Sequence, residues 1–328
     1  MRLAALTLGA GVPAKDFAGR IEEVHARACL IALSDGSLLT LLAAGLGSLP
    51  RGITLDAPPG FCFRPLLVVG AAAAARGGVL RAGALTVDLR RARPWRCDLD
   101  GLHLDLGRAP SLLAWQAVWS AWHKDSRGDG LFRLFGAAID ELSAATCCLD
   151  AAAAQPALFR LIGLGEGRTP AGDDFLVGYI AGLWACGAGM ASRAAFVPDL
   201  GRRLRAGLPQ TNRVSRVYLE AAADGQVSER LFSLAAGIAV GDSKAVGRAV
   251  TAALAVGHSS GAAGVLGLLR GCAAWSGDAE APPAVCGADA EPRIVSPAHA
   301  SAETVPPAAA WALPSRSATP RQIAPSSA

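Results

Sequence analysis

The sequence predicts an α+β protein: a small, mainly β N-terminal domain (18–104), a larger α-helical domain (105–275) and a disordered C-terminal tail (276–328). Three observations carry this. Between about Ile21 and Leu99 the apolar residues come in short bursts bounded by Gly, Pro, Asp and Ser, a pattern that suits strands. After Pro110 the grain changes to long alanine-rich stretches with a helical period. Beyond Trp275 that period disappears and nine of the 20 prolines crowd into 276–328, a composition that buries too little surface to offset its ordering entropy.

Taken in order, the first residues, MRLAALTLGAGVPAKD, faintly imitate a secretory leader but are too short for one. The eight cysteines show no CxxC pair and no cysteine–histidine cluster, so they read as small core hydrophobes in a cytoplasmic protein with reduced thiols. VHARACLIALSD, GSLLTLLAAG, GITLDAPPG, FCFRPLLVVG and GALTVDLRRA supply the strands, whereas Ala71 to Ala75 is better helix material. Ser111 can cap a helix that places Trp115, Trp119 and Trp122 on one face, a stripe read as core packing rather than a stacking site. Further helices are expected over 130–145, 173–188, 213–223, 228–240, 242–256 and 260–274.

Phe175 to Ser192 and Ala249 to Leu269 are uncharged and approach membrane-spanning length. Gly178, Gly182, Gly187 and Gly189 in the first, and a central GHSSG in the second, make buried core helices the better reading. Gly178 and Gly182 then mark a close helix crossing. A formal net charge of +4 and 5% aromatics leave no footprint for nucleic acid.

Three polar islands interrupt the apolar helical region. In the first, Gly163, Gly165, Gly167, Arg168, Thr169, Pro170, Gly172, Asp173 and Asp174 lie within twelve residues ahead of an apolar helix. Thr169-Pro170 reads as a helix start, where unpaired N–H groups favour an anion and Arg168 adds a positive charge. Two adjacent aspartates are more than capping needs, and either could hold Mg²⁺ through oxygen. The spacing fits neither the P-loop nor the dinucleotide fingerprint. The second island, Thr211-Asn212-Arg213-Val214-Ser215, offers a cap at Thr211, further donors at Asn212 and Ser215, and at Arg213 a guanidinium able to grip a carboxylate or phosphate in two-pronged fashion. The third, Gly257-His258-Ser259-Ser260-Gly261, lacks the strand and elbow of a nucleophilic serine, so it reads as structural or ligand-positioning.

In this order and spacing, GLGEGRTPAGDDF, TNRVS and GHSSGA resemble the AllH-like family of oxamate carbamoyltransferase subunits, whose pattern reads GLGPGLTPSGDDFL, T-x-R-[VI]-S and GHSSGAD. Here Glu166 stands for Pro, Arg168 for Leu, Ala171 for Ser and Ala263 for the last Asp. The resemblance implies a subunit that works with AllF-like and AllG-like partners, converting oxalurate and phosphate to oxamate and carbamoyl phosphate in allantoin degradation, a branch of purine catabolism and nitrogen metabolism. It carries over as site residues Gly163, Gly165, Gly167, Thr169, Pro170, Gly172, Asp173, Asp174, Thr211, Arg213, Ser215, Gly257, His258, Ser259, Ser260 and Gly261, around a small anionic substrate; reading the islands themselves takes Asp173, Asp174, Arg213 and His258 as catalytic and adds as binding residues Arg168, which departs from the pattern, and Asn212. The enzyme reading expects the three islands to converge on one pocket. The alternative is a non-catalytic scaffold or regulatory subunit in which they are only turns.

Overall fold

The N-terminal bursts fold into a β-barrel in the computed structural model, which describes residues 1–125 and 127–276. Its strands are β1 (Arg2–Gly9), β2 (Phe17–Val24), β3 (Ala28–Leu33), β4 (Leu38–Ala43), β5 (Gly52–Leu55), β6 (Ala72–Arg76), β7 (Val79–Ala82), β8 (Leu85–Asp88) and β9 (Arg93–Trp95). Neighbours run β5-β4-β3-β2-β6-β7-β8-β1, and β1 closes the ring by pairing antiparallel with β5, Leu8 opposite Ile53. β9 runs parallel to β1 beyond the end of β8. Closure removes the exposed sheet edges and lets Ile21, Ile31, Leu39, Leu41, Ile53, Leu55, Leu80 and Val87 form one buried core.

Three local readings change. The first residues, expected ahead of the β domain, form the strand β1 that closes the barrel. Ala71 to Ala75 largely becomes β6, paired with β2 on one side and β7 on the other. Ala73 and Ala75 are buried while Ala72 and Arg76 are exposed, so barrel packing overrides the helix propensity of alanine. FCFRPLLVVG makes no strand: Phe63 and Leu67 pack against the barrel core, and Val68 and Val69 are exposed.

The helices are α1 (Ala109–His123), α2 (Gly128–Cys147), α3 (Ala151–Leu161), α4 (Ala171–Gly187), α5 (Ala191–Gly207), α6 (Arg213–Ala223), α7 (Glu229–Val240), α8 (Ser243–Leu254) and α9 (Ser260–Ala273). α3 and α5 were not legible as helices because each contains an internal proline, Pro156 and Pro198, the residue that ordinarily breaks one. Buried faces, Ala154, Leu158 and Leu161 in one and Phe196, Leu200 and Leu204 in the other, hold them in place. α1 starts at Ala109, ahead of Ser111, whose hydroxyl instead donates to the Ala239 carbonyl of α7 (3.2 Å). Trp115 and Trp122 are buried, and their indole N–H groups donate to Leu269 (3.1 Å) and Ala262 (2.7 Å) of α9. Trp119, stacked between them, is half-buried, so the stripe is core at two of its three positions.

α4 and α9 pack backbone against backbone. A Cβ on Gly178 would lie 2.0 Å from the Gly264 carbonyl, and one on Gly182 would lie 2.6 Å from the Cys272 nitrogen. α9 answers with Gly267, whose Cβ would fall 2.0 Å from the Phe175 carbonyl. The expected close crossing is therefore present, with glycines on both partners. Among the described residues no helix is long and apolar enough to cross a membrane. Cys29, Cys97 and Cys272 are buried, and burial pushes the Cys29 thiol up to about 12, but Cys147 and Cys148 are exposed at the end of α2. Met1–Ser276 form one compact unit. The expected tail, with Cys286, His299 and Trp311, lies from residue 277 on outside the described residues.

Candidate functional site

The glycine-rich segment between α3 and α4 folds as successive bends, with Gly163, Gly165 and Gly167 at φ of 75°, 105° and 102°, where a side chain is disfavoured. This reversal lets α4 begin against the end of α3: a Cβ on Gly172 would lie 2.0 Å from the Leu161 carbonyl. Pro170 occupies the cap position of α4, and Asp173 and Asp174 fall in its first turn.

The two aspartates part company there. Asp173 is buried and accepts from the Gly163 N–H (2.8 Å) through one oxygen and from the Thr211 hydroxyl (2.5 Å) through the other. It ties the first island to the second. Asp174 Oδ2 is buried without a hydrogen-bond partner. Burial pushes the Asp174 carboxyl up to about 7, opposed by the Ser260 and Thr169 hydroxyls and reinforced by the charge of Asp173. Thr169 and Ser260 are joined at 2.9 Å, which ties the first island to the third.

Asp174 lines a cavity of about 350 Å³ at the junction of barrel and helices. The helical side contributes Thr169, Val177, Tyr218, Gln226, Ser228, Arg230, Gly257, Ser260 and Gly261; the barrel side contributes Leu42, Leu46, Leu49 and Pro50. The N-termini of α4, α7 and α9 all adjoin it, through Asp174, Arg230 and Ser260. Partial positive charge at helix starts favours an anion there. Arg230 is the cationic side chain on the wall, with its guanidinium held by the carbonyls of Ala252 (3.0 Å) and Gly45 (3.1 Å). Burial also raises the Tyr218 phenol.

The barrel wall is fastened from α7. Glu229 accepts the Ser48 N–H through Oε2 (2.7 Å), and its own N–H donates to the Ser48 carbonyl (2.9 Å). These bonds, with Arg230 on Gly45, hold the loop that carries Leu46, Leu49 and Pro50.

The other expected site residues stand off the cavity wall. Arg213 pairs with Glu22 of β2 (2.7 Å), and its Nε and Nη2 donate to the Gly36 carbonyl. Arg168 pairs with Glu23 and donates to the His25 imidazole (2.9 Å). Both guanidiniums fasten the helical region to the barrel, Arg213 from the start of α6 and Arg168 from the connection between α3 and α4. Asn212, not Thr211, caps α6, accepting from the N–H groups of Val214 and Ser215. Ser215 is buried, with an unpartnered hydroxyl oxygen. His258 is exposed, and its carbonyl accepts from Arg127 (2.6 Å), which also holds the Leu254 carbonyl and so braces the turn before α9. Ser259 occupies the cap position of α9 without a side-chain capping bond. The first and third islands meet at the cavity through Thr169, Asp174, Gly257, Ser260 and Gly261, whereas the second reaches them only through Thr211 on Asp173, and Arg213 and His258 stand off the wall.

Asp173 has both oxygens engaged within the fold, whereas Asp174 keeps one oxygen unpartnered. Among the described residues no group of three or more His, Cys, Asp or Glu side chains is placed to hold a metal ion.

Residues 161–272, from the end of α3 into α9, match the family described as oxamate carbamoyltransferase subunit AllH. This segment is AllH-like. The AllH-like segment takes in all three islands and every helical residue named on the cavity wall, and leaves the barrel outside the match. The family description is that of one subunit of a carbamoyltransferase, which implies partner subunits. No curated protein and no solved structure matches the chain. Arg230, Tyr218 and Gln226 were missed from the sequence because none belongs to a motif. The one signal for them was the helix start that Ser228 makes just ahead of Arg230.

Proposed function

We propose that this chain is the AllH-like subunit of a cytoplasmic carbamoyltransferase complex with AllF-like and AllG-like partners, and that its cavity binds the reacting carbamoyl compound. The reaction is the phosphorolysis of oxalurate to oxamate and carbamoyl phosphate. The observation that carries this reading is Asp174, a residue of the cavity wall where the first and third islands meet, with one carboxyl oxygen unpartnered and its carboxyl pushed up by burial to about 7. A carboxyl in that range can give and take a proton at physiological pH.

The chemistry needs such a group. A phosphate oxygen attacks the ureido carbonyl carbon, the C–N bond to the oxamate nitrogen breaks, and that nitrogen must gain a proton to leave as an amide. Asp174 supplies it, and the proton carried by the attacking hydrogen phosphate restores the Asp174 carboxyl. Arg230 and the three helix starts favour the anionic ends of the reactants.

The test is reconstitution of the chain with its partner subunits and measurement of carbamoyl phosphate formed from oxalurate and phosphate. Asp174→Asn should fold, assemble and lose about 10²-fold or more in kcat. A fully active Asn variant would reduce the chain to the scaffold reading.

A further inference from the structure

Gln226, another residue of the same cavity wall, carries a second buried acceptor without a partner. Gln226 sits in the short connection between α6 and α7, and its amide Nε2 donates to two backbone carbonyls, Cys97 (3.0 Å) and Gly225 (3.3 Å). Two carbonyls can be satisfied only by the NH₂ end of the amide, so the orientation of the side chain is fixed by its partners. Its Oε1 is buried with no partner. Cys97 keeps the connection itself in place, its thiol accepting from the Val227 N–H (3.2 Å) and donating to the Gly225 carbonyl (3.1 Å). The amide is thus held rigidly, with one acceptor left over in a residue that lines the cavity.

An unpartnered buried acceptor is costly, and a ligand that donates an N–H to it recovers the missing bond. A methyl group in the same place would leave the oxygen unsatisfied, and sites built around such a bond discriminate strongly against the analogue that lacks it. The geometry points to Gln226 as the specificity-determining residue that recognises the NH₂ of a carbamoyl or primary-amide ligand and rejects the methyl isostere. This deepens the carbamoyltransferase reading and rests on it for the choice of ligands.

Two isosteric pairs differ only in NH₂ against CH₃: carbamoyl phosphate and acetyl phosphate, and oxamate and pyruvate. Titration calorimetry of each against the full chain measures the discrimination directly. The amide member of at least one pair should bind about tenfold or more tighter than its methyl partner, and Gln226→Leu should bring that ratio close to one by weakening the amide member alone. Gln226→Met, unbranched and of similar length, is the second variant if Leu disturbs folding. Equal binding within both pairs, no binding of either amide, or an unchanged ratio in a folded variant would overturn the assignment. The enzymatic reading fails separately: discrimination at Gln226 without turnover by the assembled complex would leave the amide subsite standing and remove the reaction.

Discussion

Asp174 and Arg213 show how far a residue's type is from its role. Both residue types suit the chemistry, but only the aspartate lines the cavity; the arginine lies on Glu22 and the Gly36 carbonyl. Because burial raises Asp174 above the ordinary carboxylate range, the unfolded chain ionises first as pH rises from about 4 to 7, and folding stability falls across that window. Above pH 7 the loss is constant, about 4 kcal/mol at most. Asp174→Asn should therefore melt higher than the parent at pH 8 and alike at pH 4, while losing activity, the usual exchange at a functional site. The same difference in melting temperature at both pH values would show that Asp174 is not held protonated. Arg213→Lys keeps the charge beside Glu22 but loses the fork on Gly36, so it should cost up to about 1 kcal/mol of stability and leave ligand affinity unchanged. A tenfold loss of affinity for oxamate would return Arg213 to the site. Local sequence could not separate these two residues, since what distinguishes them is a partner on β2, almost two hundred positions away in the chain.

Among the elements, the pair α4 and α9 determines where the first and third islands meet. The glycines of both helices bring their backbones into contact, and the starts of the two helices then face one cavity with Thr169 on Ser260. Gly267→Ala would drive a methyl group into the Phe175 carbonyl at 2.0 Å, and overpacking of this kind costs about 1–3 kcal/mol or more. Gly247 on α8 is exposed, with open space around its Cβ position, so Gly247→Ala should stabilise by about 0.5–1 kcal/mol through helix propensity alone. Denaturant titration of the two variants checks both signs. A tolerated Gly267→Ala would mean that the crossing can loosen without loss. The Gly178 and Gly182 side of this contact was legible because alanine makes the better helix at both positions. Two glycines one turn apart therefore point to a neighbour too close for a methyl group. α3 and α5 were not legible, because their internal prolines speak against a helix locally and only their buried faces speak for it. β6 failed in the same way: five residues dominated by alanine carry little pattern, and the barrel decides their conformation.

Across the whole molecule, the cavity belongs to neither half alone. The AllH-like segment supplies the polar wall, whereas Leu42, Leu46, Leu49 and Pro50 come from the barrel, which lies outside the family match. The succession of strands and helices could be read from burst length and period, but the joint between them could not, because its parts are single side chains meeting single backbone groups. Glu229 on Ser48 is the clearest of these: one carboxylate and one N–H at the start of α7 clasp a barrel loop. If that clasp only adds stability, Glu229→Ala should lower the melting temperature and do nothing else. The loop it holds, however, carries three of the apolar cavity residues, and α7 itself carries Arg230 in its first turn. Releasing the loop should therefore loosen both walls together: stability should fall by about 1–3 kcal/mol for the lost charge-assisted bond, and affinity for oxamate should fall with it. Binding and melting measured on the same variant separate the two cases. An unchanged affinity beside a lowered melting temperature would confine the barrel to a supporting role and leave recognition to the helical wall.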